Sequence, residues 1–364
     1  MRVKMLDPRR EYSLYRREYL EAVNRIFDEG SFILGRPVEN FENNLAEYLK
    51  VKHAIGVANG TDALLISMIA AGVKEGDEVI TTPFTFFATG ETIVQAGAKP
   101  VFADIDEETY NINPKEIEKK ITKKTKAILP VHLYGNPADM GRITEIAKKN
   151  NLIVIEDCAQ AIGAEFKGRK TGSFGVAGTI SFFPTKNLGA AGDGGAIVTN
   201  DDEINRKVRL LRVHGAVKKY VHSEIGFNSR LDSLHAEILD AKLKHLDEKN
   251  ERRIFLAERY FEGLTKKVVK PQTGSLSKHV FHQYTIAVKD RDSLMEHLKK
   301  NDIDSVVYYP VPLHLQTALS PYINIESMPV SEQMSKMVLS LPIYPELDTK
   351  EQNFVIEKIN EYYD

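Results

Sequence analysis

From His53 onward the chain alternates short apolar runs with longer helical ones, and this alternation narrows its possible folds more than any other feature. "HAIGVA", "DEVITT", "KPVFADI", "KAILPVHLYG" and "LIVIEDCA" read as strands. Between them, "GTDALLISMIAAG", "FTFFATGETIVQAG", "NPKEIEKKI" and "ADMGRITEIAKKN" read as helices. Strands alternating with helices specify an α/β fold with a large, mostly parallel sheet. The unbroken apolar run of "LIVIE" fits a strand covered on both faces. Gly72 and Gly76 stand near a helix end, where a positive φ is cheap for glycine.

Residues 230–265 form one long helical stretch, either two helices or one bent helix. After it, "HVFHQYTIAV", "RDSLMEHLKKNDI" and "DSVVYYP" suggest a smaller C-terminal α+β unit. The chain has 364 residues, and about 150 residues per domain makes two domains the expectation. The division is expected as a large α/β domain over residues 1–248 and a small domain over 249–364.

Composition excludes several classes. A formal net charge of −2 gives no basic field for nucleic acid. The single cysteine, Cys158, rules out a disulfide framework or a cysteine-rich metal site within one chain. The opening "MRVKMLDPRREYSLYRREYL" lacks the apolar core of a signal peptide. The run "ALLISMIAAGV" is well short of the ~20 residues that span a bilayer. A cytoplasmic protein with no membrane and no nucleic-acid partner is the expectation.

Open α/β sheets bind ligands at the carboxyl ends of their strands. In "ANGTDALL", Gly60 and Thr61 follow a strand and open a helix, whose free N–H groups and dipole suit a phosphate. An ordinary threonine-capped turn would look the same. Asp157 ends the buried strand in "IVIEDCAQA", and a buried carboxylate needs a partner such as a protonated pyridine nitrogen. A helix cap or a structural ion pair is its ordinary alternative. Lys186 stands in "SFFPTKNLGAAGDGGAIVTN", between a buried approach and a loop with Gly189, Gly192, Gly194 and Gly195. Desolvation would activate such a lysine for imine chemistry, and the glycines are read as backbone freedom for a lysine that must swing. Ser181, just before it, could reach an anion. A phosphate cradle, a carboxylate for a pyridinium and a lysine for an aldehyde together describe pyridoxal phosphate. No G-x-G-x-x-G opens a dinucleotide unit, and no G-x-x-x-x-G-K-[ST] occurs.

The segments "GSFILGRPVENFE", "ANGTDAL", "TTPFTFFAT", "IEDCAQAIGAEFKGRKTGSFG", "SFFPTKNLGAAGDGGAIVT", "GFNSRLDSLHAEIL" and "PLHLQ" occur in that order. Together they resemble the DegT/StrS family of sugar-nucleotide aminotransferases, which are fold-type I pyridoxal phosphate enzymes. The likeness runs from about residue 30 to the end. It implies that Lys186 binds the cofactor covalently and then moves protons between substrate and cofactor. It implies that Asp157 pairs with the pyridine nitrogen and Gln160 with the ring hydroxyl. Gly60, Thr61 and Ser181 would hold the phosphate, and Phe86 would stack on the ring, although an aromatic helix residue is also ordinary core. Asn228 would reach the phosphate in a neighbouring subunit, so a homodimer with shared sites is implied.

The same resemblance implies a cofactor cycling between pyridoxal and pyridoxamine phosphate. Glutamate would be the amino donor and a nucleotide-linked keto sugar the acceptor. Dehydrase members carry histidine in place of the lysine, and some need cysteines for an iron–sulfur cluster; this chain has Lys186 and lacks those cysteines. Tyr220, His222 and Arg230 lie where family members approach the sugar nucleotide, and His214 and His314 in segments lining the site, so Tyr220, His222, Arg230 and His314 are carried as substrate contacts. The pair His279 and His282 superficially suggests a metal, but with no third ligand nearby a packing or surface role is expected, and no metal. "LGAAGDGG" and "GFNSRLD" resemble members that aminate carbon 3 of a dTDP-3-keto-6-deoxyhexose. Amination at carbon 4 and a non-catalytic sensor of the same fold stand as alternatives.

Overall fold

A computed structural model of the chain describes residues 1–274 and 276–364. Helices α1 (Pro8–Glu29) and α2 (Arg36–Leu49) precede the alternating region. That region runs β1 (His53–Val57), α3 (Gly60–Ala70), β2 (Glu78–Thr81), α4 (Phe87–Gln95), β3 (Lys99–Phe102), α5 (Pro114–Lys120), β4 (Thr125–Leu129), α6 (Met140–Lys149) and β5 (Ile153–Asp157). A short hairpin, β6 (Glu165–Phe166) and β7 (Arg169–Lys170), leads to β8 (Ala177–Ser181), β9 (Gly195–Thr199) and α7 (Asp202–Leu211). The seven-stranded sheet has the order β1-β9-β8-β5-β4-β2-β3. Strands β3, β2, β4, β5 and β8 pair in parallel, and β9 runs antiparallel between β8 and β1. Buried residues such as Ile55, Val79, Leu129, Ile155 and Ile197 fill the core beside α3 and α7. The expected mostly parallel sheet is present.

Several boundaries move for local reasons. The strand expected through "KAILPVHLYG" stops at Leu129, because Pro130 has no N–H to continue a ladder. Its carbonyl instead accepts the Asp157 amide at 2.9 Å. Helix α4 starts at Phe87, since Phe86 is still extended (ψ 148°) and serves as its cap. Helix α3 starts at Gly60, where the Asn59 side chain accepts from the Asp62 amide at 2.8 Å.

Beyond the hairpin β10 (Ala216–Lys218) and β11 (Val221–His222), the long helical stretch is two helices, α8 (Ser233–Leu243) and α9 (Leu246–Gly263). The expected boundary at 248/249 falls inside α9. Leu246 packs into the core of the large domain, while Leu256, Ala257 and Tyr260 pack into that of the C-terminal unit. Strand β12 (Ser277–Lys278) returns to pair with β6, and the C-terminal unit contains β13 (Tyr284–Ala287), α10 (Arg291–Lys300), α11 (Pro329–Met337), β14 (Val338–Leu341) and α12 (Thr349–Tyr363). Strands β13 and β14 pair antiparallel. Val3 joins this core and bridges Ile303, so the chain's first residues pack with its last third. "DSVVYYP" forms no regular strand, and Val306 makes an isolated bridge to Ser340.

The sheet edge that carries the site depends on close approach. A Cβ at Gly178 in β8 would sit 2.4 Å from the Gly172 Cα. Backbone cannot move aside as a flexible side chain can, so Gly178→Ala is expected to destabilise by roughly 1–3 kcal/mol. Urea unfolding checks this: the midpoint should fall, and an unchanged midpoint would mean the 171–176 turn can yield.

Candidate active site

The carboxyl ends of β1, β5 and β8 converge on one edge. Gly195 opens β9 and pairs with both Ser181 and Val57, which brings the ends of β8 and β1 together. A Cβ on Gly195 would lie 2.4 Å from the Asn59 carbonyl oxygen, and one on Gly60 would lie 2.7 Å from the Ser181 Cβ. Two glycines therefore let the N-terminus of α3 rest on Ser181. Gly60, Thr61 and Ser181 are half-buried at a helix N-terminus, whose free N–H groups suit an anion. Ser229 Oγ accepts from the Ala58 amide at 3.1 Å and fixes the turn before α3.

Asp157 is buried at the end of β5. Its carboxylate accepts from the Thr89 hydroxyl at 3.0 Å and the Ala159 amide at 3.1 Å. Burial raises its pKa, and these donors and the Lys186 charge oppose that rise. The preceding residue, Glu156, faces the other side of the strand. It accepts the Gly172, Phe174 and Gly175 amides at 2.7–2.9 Å and meets His132 Nε2 at 3.1 Å. His132 Nδ1 accepts the Ala138 amide at 3.0 Å, so the ring is the neutral tautomer with its proton on Nε2.

Lys186 lies in the loop between β8 and β9. Burial pushes its ammonium down to about 8, with the Asp157 carboxylate pulling the other way. The glycines after it do not supply freedom. None of Gly189, Gly192, Gly194 and Gly195 has a positive φ, and a Cβ at Gly189 would lie 2.6 Å from the Pro184 carbonyl oxygen. Gly189 and Gly194 are instead sites of close packing. The loop is also tied down. Asn187 donates to Asn250 at 2.8 Å and meets His282 at 3.2 Å, and Lys242 Nζ donates to the Gly189 carbonyl at 2.6 Å.

The remaining expected residues divide into two groups. Gln160 is buried here, accepting the Tyr134 amide at 2.8 Å and donating to the Tyr309 hydroxyl at 2.9 Å. Phe86, 59% exposed, is not core in this chain, and its ring lies 6.3 Å from that of Tyr309. Asn228, Tyr220 and His222 lie on the surface, and Tyr220 is 84% exposed. His222 Nδ1 meets the His214 carbonyl at 2.9 Å, and Arg230 is half-buried. His314 is a different case. It is only 2% exposed, and its Nε2 meets Glu332 at 3.1 Å, so packing against Phe102 and Glu332 closes it off.

His279 stacks on Phe281 at 3.7 Å while His282 turns to Asn187, so the two rings serve different packing roles and form no metal pair. His132, Glu156 and Cys158 do place potential ligand atoms within 4.8 Å. The hydrogen bonds already made by Glu156 and His132 occupy the atoms a metal would need. Sequence reasoning missed Tyr309, Thr89 and Ser229. "YYP" carried no local sign of proximity to Gln160, and Thr89 was hidden in an apolar helix.

The arrangement fits pyridoxal phosphate on structural grounds. An anion cradle, a buried carboxylate held by uncharged donors, an exposed aromatic ring and a lysine of lowered basicity meet at one sheet edge. The fold and site define an enzyme class in which a lysine works beside a bound cofactor at the carboxyl edge of an α/β sheet. Residues 14–360 match the DegT/DnrJ/EryC1/StrS aminotransferase family, and the chain belongs to it.

Three relatives align over nearly the whole chain. A pleiotropic regulatory protein of Geobacillus stearothermophilus is 50% identical over 368 residues, 100% of this chain and 99% of that protein. A UDP-N-acetyl-3-dehydro-α-D-glucosamine 3-aminotransferase of Acidithiobacillus ferrooxidans is 46% identical over 346 residues, 95% and 94% of the two chains. A dTDP-3-amino-3,6-dideoxy-α-D-galactopyranose transaminase of Aneurinibacillus thermoaerophilus is 45% identical over 361 residues, 99% of both. Among solved structures, DesV of S. venezuelae with a ketimine intermediate superposes with a TM-score of 0.97 at 40% identity, covering 100% of this chain and 99% of that one.

The lowered basicity of Lys186 has a direct readout. An amine reacts with acylating reagents only as the free base, so labelling of Lys186 in the cofactor-free protein should rise with pH through about 8. An unperturbed lysine would rise near ~10.4. Asp157→Asn removes the charge that favours the ammonium, and should move the midpoint lower still. Peptide mass spectrometry of pulse-labelled protein gives both midpoints.

Proposed function

We propose that this chain transfers an amino group from glutamate to carbon 3 of a dTDP-3-keto-6-deoxyhexose, giving a dTDP-3-amino-3,6-dideoxyhexose. The enzyme is an aminotransferase, and its cofactor is pyridoxal 5′-phosphate. The observation that carries the reading is the convergence of Lys186, Asp157 and the Gly60–Thr61–Ser181 cradle on one edge of the sheet. Carbon 3 is supported by the relatives from Acidithiobacillus and Aneurinibacillus, both named for an amino group there, one on a UDP sugar and one on a dTDP sugar. The base is chosen on the glycine-loop resemblance described above.

When bound, pyridoxal phosphate supplies an aldehyde that can carry an amino group and a ring that accepts electrons. The protein does the rest. Gly60, Thr61 and Ser181 hold the phosphate, Asp157 faces the ring nitrogen, Gln160 the ring hydroxyl, and Phe86 one ring face. Lys186, with its lowered basicity, takes a proton and returns it in each half of the cycle. Exposed Asn228 reaches a neighbouring subunit's phosphate, which makes the working unit a homodimer with shared sites. Tyr220, His222 and Arg230 contact the sugar nucleotide. His314 joins them only if the Glu332 contact opens. The expected compartment is the cytoplasm; no helix among the described residues is long and apolar enough to cross a membrane.

A second reading, a sensor without turnover, draws on the name of the Geobacillus relative. The retained Lys186 and Asp157 weigh against it, since sensing needs neither proton transfer nor a ring-nitrogen partner.

Glutamate should bleach the visible absorbance of the holoenzyme. After removal of excess donor, dTDP-4-keto-6-deoxyglucose should restore the colour only when a 3,4-ketoisomerase is added. Restoration without the isomerase would assign carbon 4 instead. No restoration with any keto sugar would favour the sensor. Lys186→Ala should lower turnover by at least ~10²–10⁴-fold, the usual contribution of a proton-transferring group.

A further inference from the structure

We propose that Thr85 and Thr89 form a one-way hydroxyl relay that orients the Asp157 carboxylate and keeps it an acceptor on the side facing the cofactor ring. The inference rests on the proposed role of Asp157. Thr89 Oγ1 lies 3.0 Å from Asp157 Oδ2, and Thr85 Oγ1 lies 3.1 Å from Thr89 Oγ1. Both threonines are buried, at 2% and 1% exposure. A carboxylate has no proton to offer, so the single hydroxyl proton of Thr89 goes to Asp157. Thr89 can then only accept from Thr85, and the chain acquires a direction: Thr85 to Thr89 to Asp157. Hydrogen bonds in series polarise one another, which strengthens the last bond in a dry site.

The placement also singles out Thr89. Helical threonines commonly turn back to a carbonyl of their own helix. Thr92, one turn later, does this, donating to the Ala88 carbonyl at 2.8 Å. Thr89 gives its proton to a different element. A buried hydroxyl is costly unless bonded, and valine would fill the same volume. Phe86, the extended residue that caps α4, lies three residues before Thr89. The start of α4 and its cap thus bring the residue proposed for the ring face close in sequence to the one that holds the proposed ring-nitrogen partner.

Other titratable groups face Asp157. Lys186 approaches from the β8–β9 loop, its charge opposing the rise of the Asp157 pKa, and Tyr309 comes from the C-terminal unit, its phenol kept neutral by burial and by the Asp157 charge. His132 lies after β4, neutral and committed to Glu156, and Cys158 follows in the chain. Apart from Thr89, the Asp157 side chain takes a hydrogen bond from the Ala159 amide.

Binding of pyridoxal 5′-phosphate to the cofactor-free protein, measured by equilibrium dialysis across pH, tests the relay without recourse to turnover. A protonated Asp157 cannot accept from a pyridinium, so affinity should fall as pH drops through its titration. Thr89→Val removes a donor that favours the carboxylate. It should weaken binding about tenfold, as losing one hydrogen bond to a charged group does, and move the acid limb to higher pH. Thr89→Ser should restore both. Thr85→Val leaves the contact with Asp157 in place and should move the limb in the same direction by less. An unmoved limb in Thr89→Val, with affinity lost in Asp157→Asn, overturns the relay alone. Wild-type affinity in Asp157→Asn overturns the carboxylate's role and the relay with it. If Thr89→Val does not fold, an unmoved limb in Thr85→Val is the overturning result.

Discussion

A charge at the dry end of a central strand has to be held by groups that come from elsewhere, and much of this site follows from holding Asp157. Successive strand residues point to opposite faces, so the adjacent carboxylates of Glu156 and Asp157 enter different surroundings. Glu156 meets three backbone amides and His132, and has no capacity left for a ligand. Asp157 meets one amide and one hydroxyl and keeps acceptor capacity for something positively charged. The same two-residue stretch thus gives one carboxylate saturated by the protein and one with acceptor capacity to spare. The main-chain groups of Asp157 are fixed as well, its amide donating to Pro130 and its carbonyl accepting from His132. The carboxylate is aimed by a clamped backbone before any side-chain partner acts.

The glycines near Lys186 teach a different lesson from the one their spacing suggests. Glycine permits both unusual dihedrals and close backbone approach, and a sequence does not say which is in use. Here the second applies. Gly60 and Gly195 allow three separate chain segments to meet where a Cβ would collide with backbone or with Ser181. The proposed phosphate cradle needs that proximity, because helix N–H groups act only at hydrogen-bond range.

The alternating pattern made the sheet legible, since covered parallel strands must be short and apolar with helices between them. Asp157, Lys186 and the Gly60–Thr61 turn stood out as candidates for a related reason: each is an unusual residue at a strand end or in the loop that follows one. Thr89, Ser229 and Tyr309 were not. Each acts on a partner far away in sequence: Thr89 on Asp157, Ser229 on Ala58 and Tyr309 on Gln160. No local periodicity encodes such a pairing. His314 likewise meets a partner that no local pattern encodes, its Nε2 lying against Glu332. The place where α9 leaves one core and enters the other was also invisible, because a helix spanning two cores has no break to mark the change.

A lysine with the proton-transfer role proposed for Lys186 must move, yet the backbone around it is held from several directions. Asn187 is fixed by Asn250 and His282. Behind the loop, Lys242 joins the Gly189 carbonyl to Glu11 of α1, and Lys249 also pairs with Glu11. These are buried ion pairs, and such pairs are weak evidence of net stability. What they do determine is position, since an ammonium bonded at once to a carbonyl and a carboxylate has little room to drift. The motion the chemistry needs can then reside in the lysine's own four-carbon stem, whose rotations carry the amine. A rigid loop with a flexible stem keeps the amine's average place constant while leaving its reach free, which a mobile loop would not.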